Sequence, residues 1–193
     1  MALWGITDAD EAKPKWLTTA QKKEVFANNS GWVVEAGSTQ TGNDNTDAQP
    51  EVLCCVGDLA TGIGAADITE IEFITTAFDK SDGGNIDVRV RFNEQVTVNT
   101  SGGTPTLTIT NDTPSRNLTA TYLSGSTTTE LIFRKTIAAA NAATNAGDVL
   151  SIGANPLALA SGTIKDTADG TTNATITSIE AIGTAAGSIT VTA

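Results

Sequence analysis

The segment from residue 85 to residue 133 decides the fold: NIDVRVRFNEQVTVNTSGGTPTLTITNDTPSRNLTATYLSGSTTTELIF. From Ile86 to Phe92, apolar and charged residues alternate strictly. Successive side chains of a strand point to opposite faces, so the apolar set shares one face and the charged set shares the other. Turn clusters rich in Gly, Pro, Ser, Asn and Asp then separate further alternating runs at 106–110, 118–122 and 130–134. Short strands at this spacing predict an antiparallel β-sandwich.

Three blocks occur here in order: VRFNEQVTVNTSGGTPTLTIT, ATYLSGSTTTELIFRKTI and LSIGANPLALASGTIKD. Together they resemble an immunoglobulin-like repeat of large bacterial surface proteins, over about residues 67–182. The resemblance implies an immunoglobulin-like β-sandwich. It does not imply one function, because such sandwiches occur as spacers, adhesins and decorations alike.

The N-terminal part predicts a small α+β module. Residues 17–28 favour a helix, with Thr18 as N-cap and Gln21 completing a capping box. We expect the helix to end at Asn28 to Gly31, followed by strands at 31–36 and 51–56. The whole chain is therefore predicted to be mainly β, with a module at 1–60, a linker at 61–66 and a sandwich at 67–193.

This module carries a second resemblance. The stretches AKPKWLTTAQKKEVFANNSGWVVEAG and EVLCCVGDL resemble the opening module of virion structural proteins of tailed phages that infect marine cyanobacteria. The resemblance implies a virion protein assembled in the host cytoplasm. Its expected partner is the major capsid protein or another virion subunit, together with self-association on the particle.

Within the sandwich, the first strand is expected at 69–75, a long strand at 174–182 and a final strand at 187–193. Residues 135–147 form a crossover that is either helix or loop. The predicted core is Ile71, Phe73, Val88, Val90, Phe92, Leu107, Ile109, Tyr122, Leu131, Phe133, Ile176 and Ile179.

Composition excludes several classes of partner. The formal net charge is -11, from 11 basic and 22 acidic residues, so nucleic acid and anionic membrane surfaces are disfavoured. No stretch has the features of a secretory signal or of a membrane span. The adjacent Cys54 and Cys55 are expected to be reduced, packed thiols.

The chain contains no histidine, which removes the commonest general base and metal ligand. We expect no enzyme activity, no metal and no cofactor. Two acidic turns are weak calcium candidates because they supply several oxygen ligands. The alternative is that both are solvated turns that use Asp and Gly for backbone geometry. The candidate ligands are Asp79, Asp82, Asp87, Asp166 and Asp169.

Partner contacts are expected in the N-terminal module, which holds every tryptophan and a cluster of lysines. Docking of its arm onto a neighbouring subunit and folding back over its own domain both remain open. The candidate residues are Trp4, Lys13, Lys15, Trp16 and Trp32. The leading hypothesis is a capsid decoration or cement protein that projects its sandwich outward. The alternatives are an adhesion or carbohydrate-binding module, or a neck or tail protein.

Overall fold

A computed structural model of the chain describes residues 13–14, 16–28, 31–55, 65–168 and 170–193. The fold is mainly β, as predicted. Two short α-helices and one 3-10 helix (Pro114–Arg116) accompany the strands, and none is long or apolar enough to cross a membrane within the part of the chain described.

The N-terminal unit, described over residues 13–55, begins with helix α1. The Thr18 hydroxyl accepts a hydrogen bond from the Gln21 N–H (3.2 Å), and the Gln21 side chain accepts one from the Thr18 N–H (2.9 Å). This confirms the predicted capping box. A three-stranded antiparallel sheet follows, in the order β1-β2-β3. The elements are α1 (Thr19–Lys23), β1 (Val25–Asn28), β2 (Gly31–Val34) and β3 (Glu51–Cys55).

The prediction that the helix continues to residue 28 was wrong, because it ends at Lys23. Val25 and Phe26 instead pair with Val34 and Val33 of β2. β-Branched and aromatic side chains lose rotamer freedom in a helix and pack well on a pleated sheet. Pairing with an apolar partner strand therefore outweighs the local helical pattern.

The remaining strands build the sandwich over residues 65–193. Their hydrogen-bonded order is β12-β6-β9-β8-β7-β10-β13-β5, with β4 added to β6 and β11 to β7. Helix α2 (Glu180–Ala185) lies against β4. The strands are β4 (Ile68–Phe73), β5 (Phe78–Asp79), β6 (Gly84–Asn99), β7 (Thr106–Asn111), β8 (Leu118–Ser124), β9 (Thr128–Ile137), β10 (Val149–Ser151), β11 (Leu157–Ala158), β12 (Thr163–Asp166) and β13 (Ser188–Thr192).

Strand β6 is the centre of this arrangement. Its first half pairs with β4 on one edge and β9 on the other. The register with β9 shifts between Arg91 and Val96, and beyond that irregularity β6 pairs with β12. At the other end of the path, β13 pairs with β5 in parallel, Val191 opposite Phe78. Both ends of the path contribute to one hydrophobic cluster, so the strands enclose a single core as in a sandwich.

The apolar face of β6 confirms the alternation. Ile86, Val88 and Val90 are fully buried, and Phe92 is 1% exposed. Of the predicted core, Phe73, Tyr122 and Ile176 are partly buried against the cluster. The other confirmed core residues are Ile71, Leu107, Ile109, Leu131 and Phe133.

The C-terminal prediction of a strand at 174–182 was wrong. Residues 180–185 form α2, and Ile179, predicted in the core, is its N-cap and is 68% exposed. The sequence EAIGTA lacks strict alternation, and its Glu180, Ala181 and Ala185 have high helix propensity. Gly183 permits the close approach of α2, because a Cβ there would lie 2.5 Å from the backbone carbonyl oxygens of Ile152 and Gly153.

Most of the linker expected at 61–66 lies outside the described residues, but its last residue, Ala66, is described. Ala66 is fully buried in the sandwich core, and its carbonyl accepts a hydrogen bond from the Thr175 N–H (2.8 Å). The sandwich therefore includes Ala66, one residue before the predicted boundary. Residues 135–147, left open as helix or loop, contain the end of β9 followed by turns.

A fragment of residues 65–193 is expected to fold alone, because its hydrophobic cluster shares no residue with that of the N-terminal unit. Thermal unfolding followed by circular dichroism should show one cooperative transition. A fragment that starts at residue 68, which lacks Ala66, should unfold at a lower temperature. A non-cooperative melt of the longer fragment would contradict the division.

Replacing Phe133 by alanine should lower the free energy of unfolding by about 3–5 kcal/mol. The Phe133 side chain is fully buried, and its ring packs edge-on against Tyr122 with centroids 6.1 Å apart. Ile179→Ala is the matched control and should change stability by less than about 0.5 kcal/mol, since Ile179 is exposed. Urea denaturation of both variants measures the difference, and equal losses would contradict the assignment of the core.

Candidate partner-binding surface

The predicted partner residues differ in their exposure to solvent, and two of them lie outside the described residues. Trp4 and Lys15 lie outside the described residues. Trp16 is 66% exposed, whereas Trp32 is 1% exposed. Trp32 packs with Leu17, Val25, Ala27 and Val34 in the core of the N-terminal unit. The prediction that Trp32 contacts a partner is therefore corrected: it is a core residue of the unit.

Trp16 borders an open groove of about 500 Å³ together with Val52 of β3. Val52 is itself 54% exposed. The register between β2 and β3 shifts between Trp32 and Val33, and Leu53 and Cys54 both pack against the core cluster. Val52 is consequently left outside the core. The sequence did not indicate this residue, because a bulge cannot be read from alternation.

The groove has polar walls that hydrogen bonds fix in place. The Gln40 side-chain amide donates to the Gln21 carbonyl (3.1 Å) and to the Glu24 carboxylate (3.3 Å). The Ser38 hydroxyl also donates to Glu24. A rigid groove with an exposed indole at its border has the composition of a protein-binding surface, where tryptophan is enriched.

Lys13 points into the molecule. Its ammonium donates to the Lys22 carbonyl (2.7 Å) and lines a cavity of about 670 Å³ between α1, β4 and α2. Burial, with a smaller contribution from the positive charge of Arg91, lowers the pKa of Lys13 from 10.5 to about 8. Lys13 is therefore partly buried against the rest of the molecule, and with a pKa of about 8 its ammonium still carries most of its positive charge at pH 7.

The charged face of the sandwich lies under the N-terminal unit. We define it as Glu70 and Glu72 of β4, Arg89 and Arg91 of β6, and Glu130 of β9. Arg89 binds Glu72 and lies 3.3 Å from Glu130, and Arg91 lies 2.9 Å from Glu130. Burial would raise the pKa of Glu72, but the hydrogen bond and charge of Arg89 outweigh it and lower that pKa.

Lys23 joins the N-terminal unit to this face. Its ammonium lies 2.6 Å from Glu70 and 3.4 Å from Glu72. The hydrogen bond to Glu70 raises the pKa of Lys23. The Arg91 guanidinium donates in return to the Lys23 carbonyl. Glu35, just beyond β2, also faces the network, and burial followed by repulsion from Glu130 raises its pKa.

The acidic turns do not converge. Asp79 accepts hydrogen bonds from the Ser81 N–H (2.8 Å) and from the Thr192 hydroxyl (3.0 Å). Asp87 forms a bidentate ion pair with Arg134, whose Nε and Nη2 donate to the two carboxylate oxygens at 2.7 and 2.6 Å. Asp166 is buried and accepts from the Ala168 N–H (2.7 Å), while Asp169 lies outside the described residues. Among the described residues, Asp82 included, no group of three potential ligands is positioned to hold a metal.

Comparison of the chain with protein-family models, curated proteins and solved structures found no match.

Lys13→Met should flatten the pH dependence of stability above pH 8. The folded chain releases the Lys13 proton near pH 8 and the unfolded chain near 10.5. The unfolded state therefore binds more protons between these values, and the free energy of unfolding rises with pH by up to roughly 3 kcal/mol. Urea titrations at pH 8 and pH 10.5 measure the rise. Lys165→Met, on β12, should keep it, and an unchanged rise in Lys13→Met would refute the assignment.

Proposed function

We propose that this protein is a non-enzymatic structural component of a phage virion, a decoration or cement protein on the exterior of the capsid. The N-terminal unit attaches to the major capsid protein of the assembled shell, and the sandwich projects outward. The observation that carries this proposal is the exposure of Trp16 and Val52 at one groove of the N-terminal unit.

The energetics support attachment through this groove. A protein with a net charge of -11 gains nothing from approaching DNA or an anionic membrane, so apolar burial must supply the affinity. A tryptophan buried at the centre of an interface contributes on the order of 2–4 kcal/mol. A ligand that binds the assembled shell and not free subunits stabilises the shell by mass action. Repetition of the site over many symmetry-related subunits repeats this stabilisation at every occupied position of the shell.

The Asn/Thr-rich surface of the sandwich supports a second candidate function, an adhesion or carbohydrate-binding module. Thr108 and Thr119 form an exposed cross-strand pair of β7 and β8, beside the pair of Thr106 and Thr121. Hydroxyl groups in a regular array can hydrogen-bond a polar ligand such as a glycan. In that case the binding surface belongs to the sandwich and not to the N-terminal unit. The third candidate is a structural protein of the neck or tail of the virion, which would attach to its partner by the same apolar burial.

Trp16→Ala should reduce binding of the purified protein to capsids that lack it by about 30-fold or more, which corresponds to a loss of at least 2 kcal/mol. Co-sedimentation with the particles measures binding. Leu123→Ala is the matched control, because Leu123 is 47% exposed on the sandwich and should be dispensable. Undiminished binding of Trp16→Ala, with loss of capsid binding when Thr108 and Thr119 are changed to alanine, would contradict attachment through the groove and move the attachment surface to the sandwich.

A further inference from the structure

The contact between the two units differs from the interior of either one. The cluster of the N-terminal unit and the cluster of the sandwich are separate. Strand β1 lies against β6, on the side of the sheet that carries the charged face. Each unit thus closes its own apolar core, and the face of the sandwich between them carries charges of both signs.

Two apolar side chains of the N-terminal unit are buried outside both clusters. Phe26 and Val33 pair across β1 and β2 on the side opposite the N-terminal cluster, and both are buried. Neither belongs to either cluster. Two side chains provide adhesion without direction, because apolar contact is non-directional. The orientation of the unit must therefore come from the charged groups.

Lys23 provides most of that orientation. Its ammonium forms ion pairs with the carboxylates of Glu70 and Glu72. Its backbone carbonyl accepts a hydrogen bond from the guanidinium of Arg91. The pairs are only partly shielded, since the Lys23 side chain is 42% exposed and Glu70 20%. Partly exposed ion pairs are individually weak and are screened by salt.

From this geometry we propose that the charged face is a docking surface for the N-terminal unit of the same chain, which salt releases while both units stay folded. The docked form dominates at low ionic strength, and the undocked form gains population as the ion pairs of Lys23 are screened. When the unit leaves, the alternating carboxylates and guanidiniums of Glu70, Arg91 and Glu130 become open to solvent. The proposal is independent of the proposed virion function.

The internal network of the charged face would persist after release. Arg89 and Arg91 keep their contacts with Glu72 and Glu130, which all lie within the sandwich. Release therefore leaves no carboxylate or guanidinium of this face without an opposite charge nearby. This lowers the cost of undocking and makes a two-position equilibrium physically reasonable.

The test measures the distance between the units in the full chain. Single-molecule energy transfer between dyes at Asp44→Cys and Thr108→Cys, both exposed positions, reports it in a Cys54→Ser, Cys55→Ser background. The Debye length falls from about 10 Å at 0.1 M salt to about 3 Å at 1 M, so we expect the long-distance population to rise about threefold or more. Lys23→Met should give a similar rise at low salt.

Lys22→Met is the matched control. Lys22 is the preceding residue of α1, and no salt bridge of its ammonium is present among the described residues. It should behave like the parent chain. Glu70→Gln with Glu72→Gln makes the same test from the sandwich side and leaves the sequence of the N-terminal unit intact.

Three outcomes of these measurements would contradict the proposal. A single distance that neither salt nor the Lys23 and Glu70/Glu72 variants change would overturn the proposal. A rise of the long-distance population together with tryptophan fluorescence of an unfolded N-terminal unit would also overturn it, because all three tryptophans lie in that part of the chain and release is proposed to occur between folded units. Equal effects of Lys22→Met and Lys23→Met would show that general charge, and not this contact, is responsible.

Discussion

The structure depends on the alternation of side chains along β6. This one strand pairs with β4, β9 and β12, and it supplies Ile86, Val88, Val90 and Phe92 to the core. Because the period of a strand is two, the same run that fills the core places charges on the opposite face. A slip of one residue would bury those charges and expose the apolar set. The register of the central sheet is therefore strongly specified.

The N-terminal unit packs against the charged face of the sandwich, which is opposite the face that forms the sandwich core. A sheet with one polar face is ordinarily solvated there. Here the face carries both signs of charge at short distances, and Lys23 extends the pattern onto a second unit. Charged groups of the two units are thus in direct contact, while each unit has an apolar cluster of its own.

Sequence reasoning predicted what is local and periodic. The capping box at Thr18, the mainly β fold and the buried residues of β6 to β9 all follow from patterns a few residues long. It failed where a contact with residues distant in the sequence determines the secondary structure or the burial of a side chain. Val25 and Phe26 are strand residues because of Val33 and Val34, and Ile179 is exposed because α2 packs through Gly183. For the candidate surface, composition identified Trp16, but alternation could not show that Trp32 is internal or that a bulge exposes Val52.

The parallel pairing of β5 and β13 has a mechanical consequence. Val191 and Thr192 of the last strand lie beside Phe78 and Asp79 of the second strand of the sandwich. The Lys80 N–H donates to the Thr192 carbonyl (3.1 Å), and the Thr192 hydroxyl donates to Asp79 (3.0 Å). A force that pulls Phe78 and Thr192 apart along the strands would shear this parallel pair and load these bonds together, instead of opening them one by one. The chain between Phe78 and the last strand is therefore closed by a contact that loads in shear.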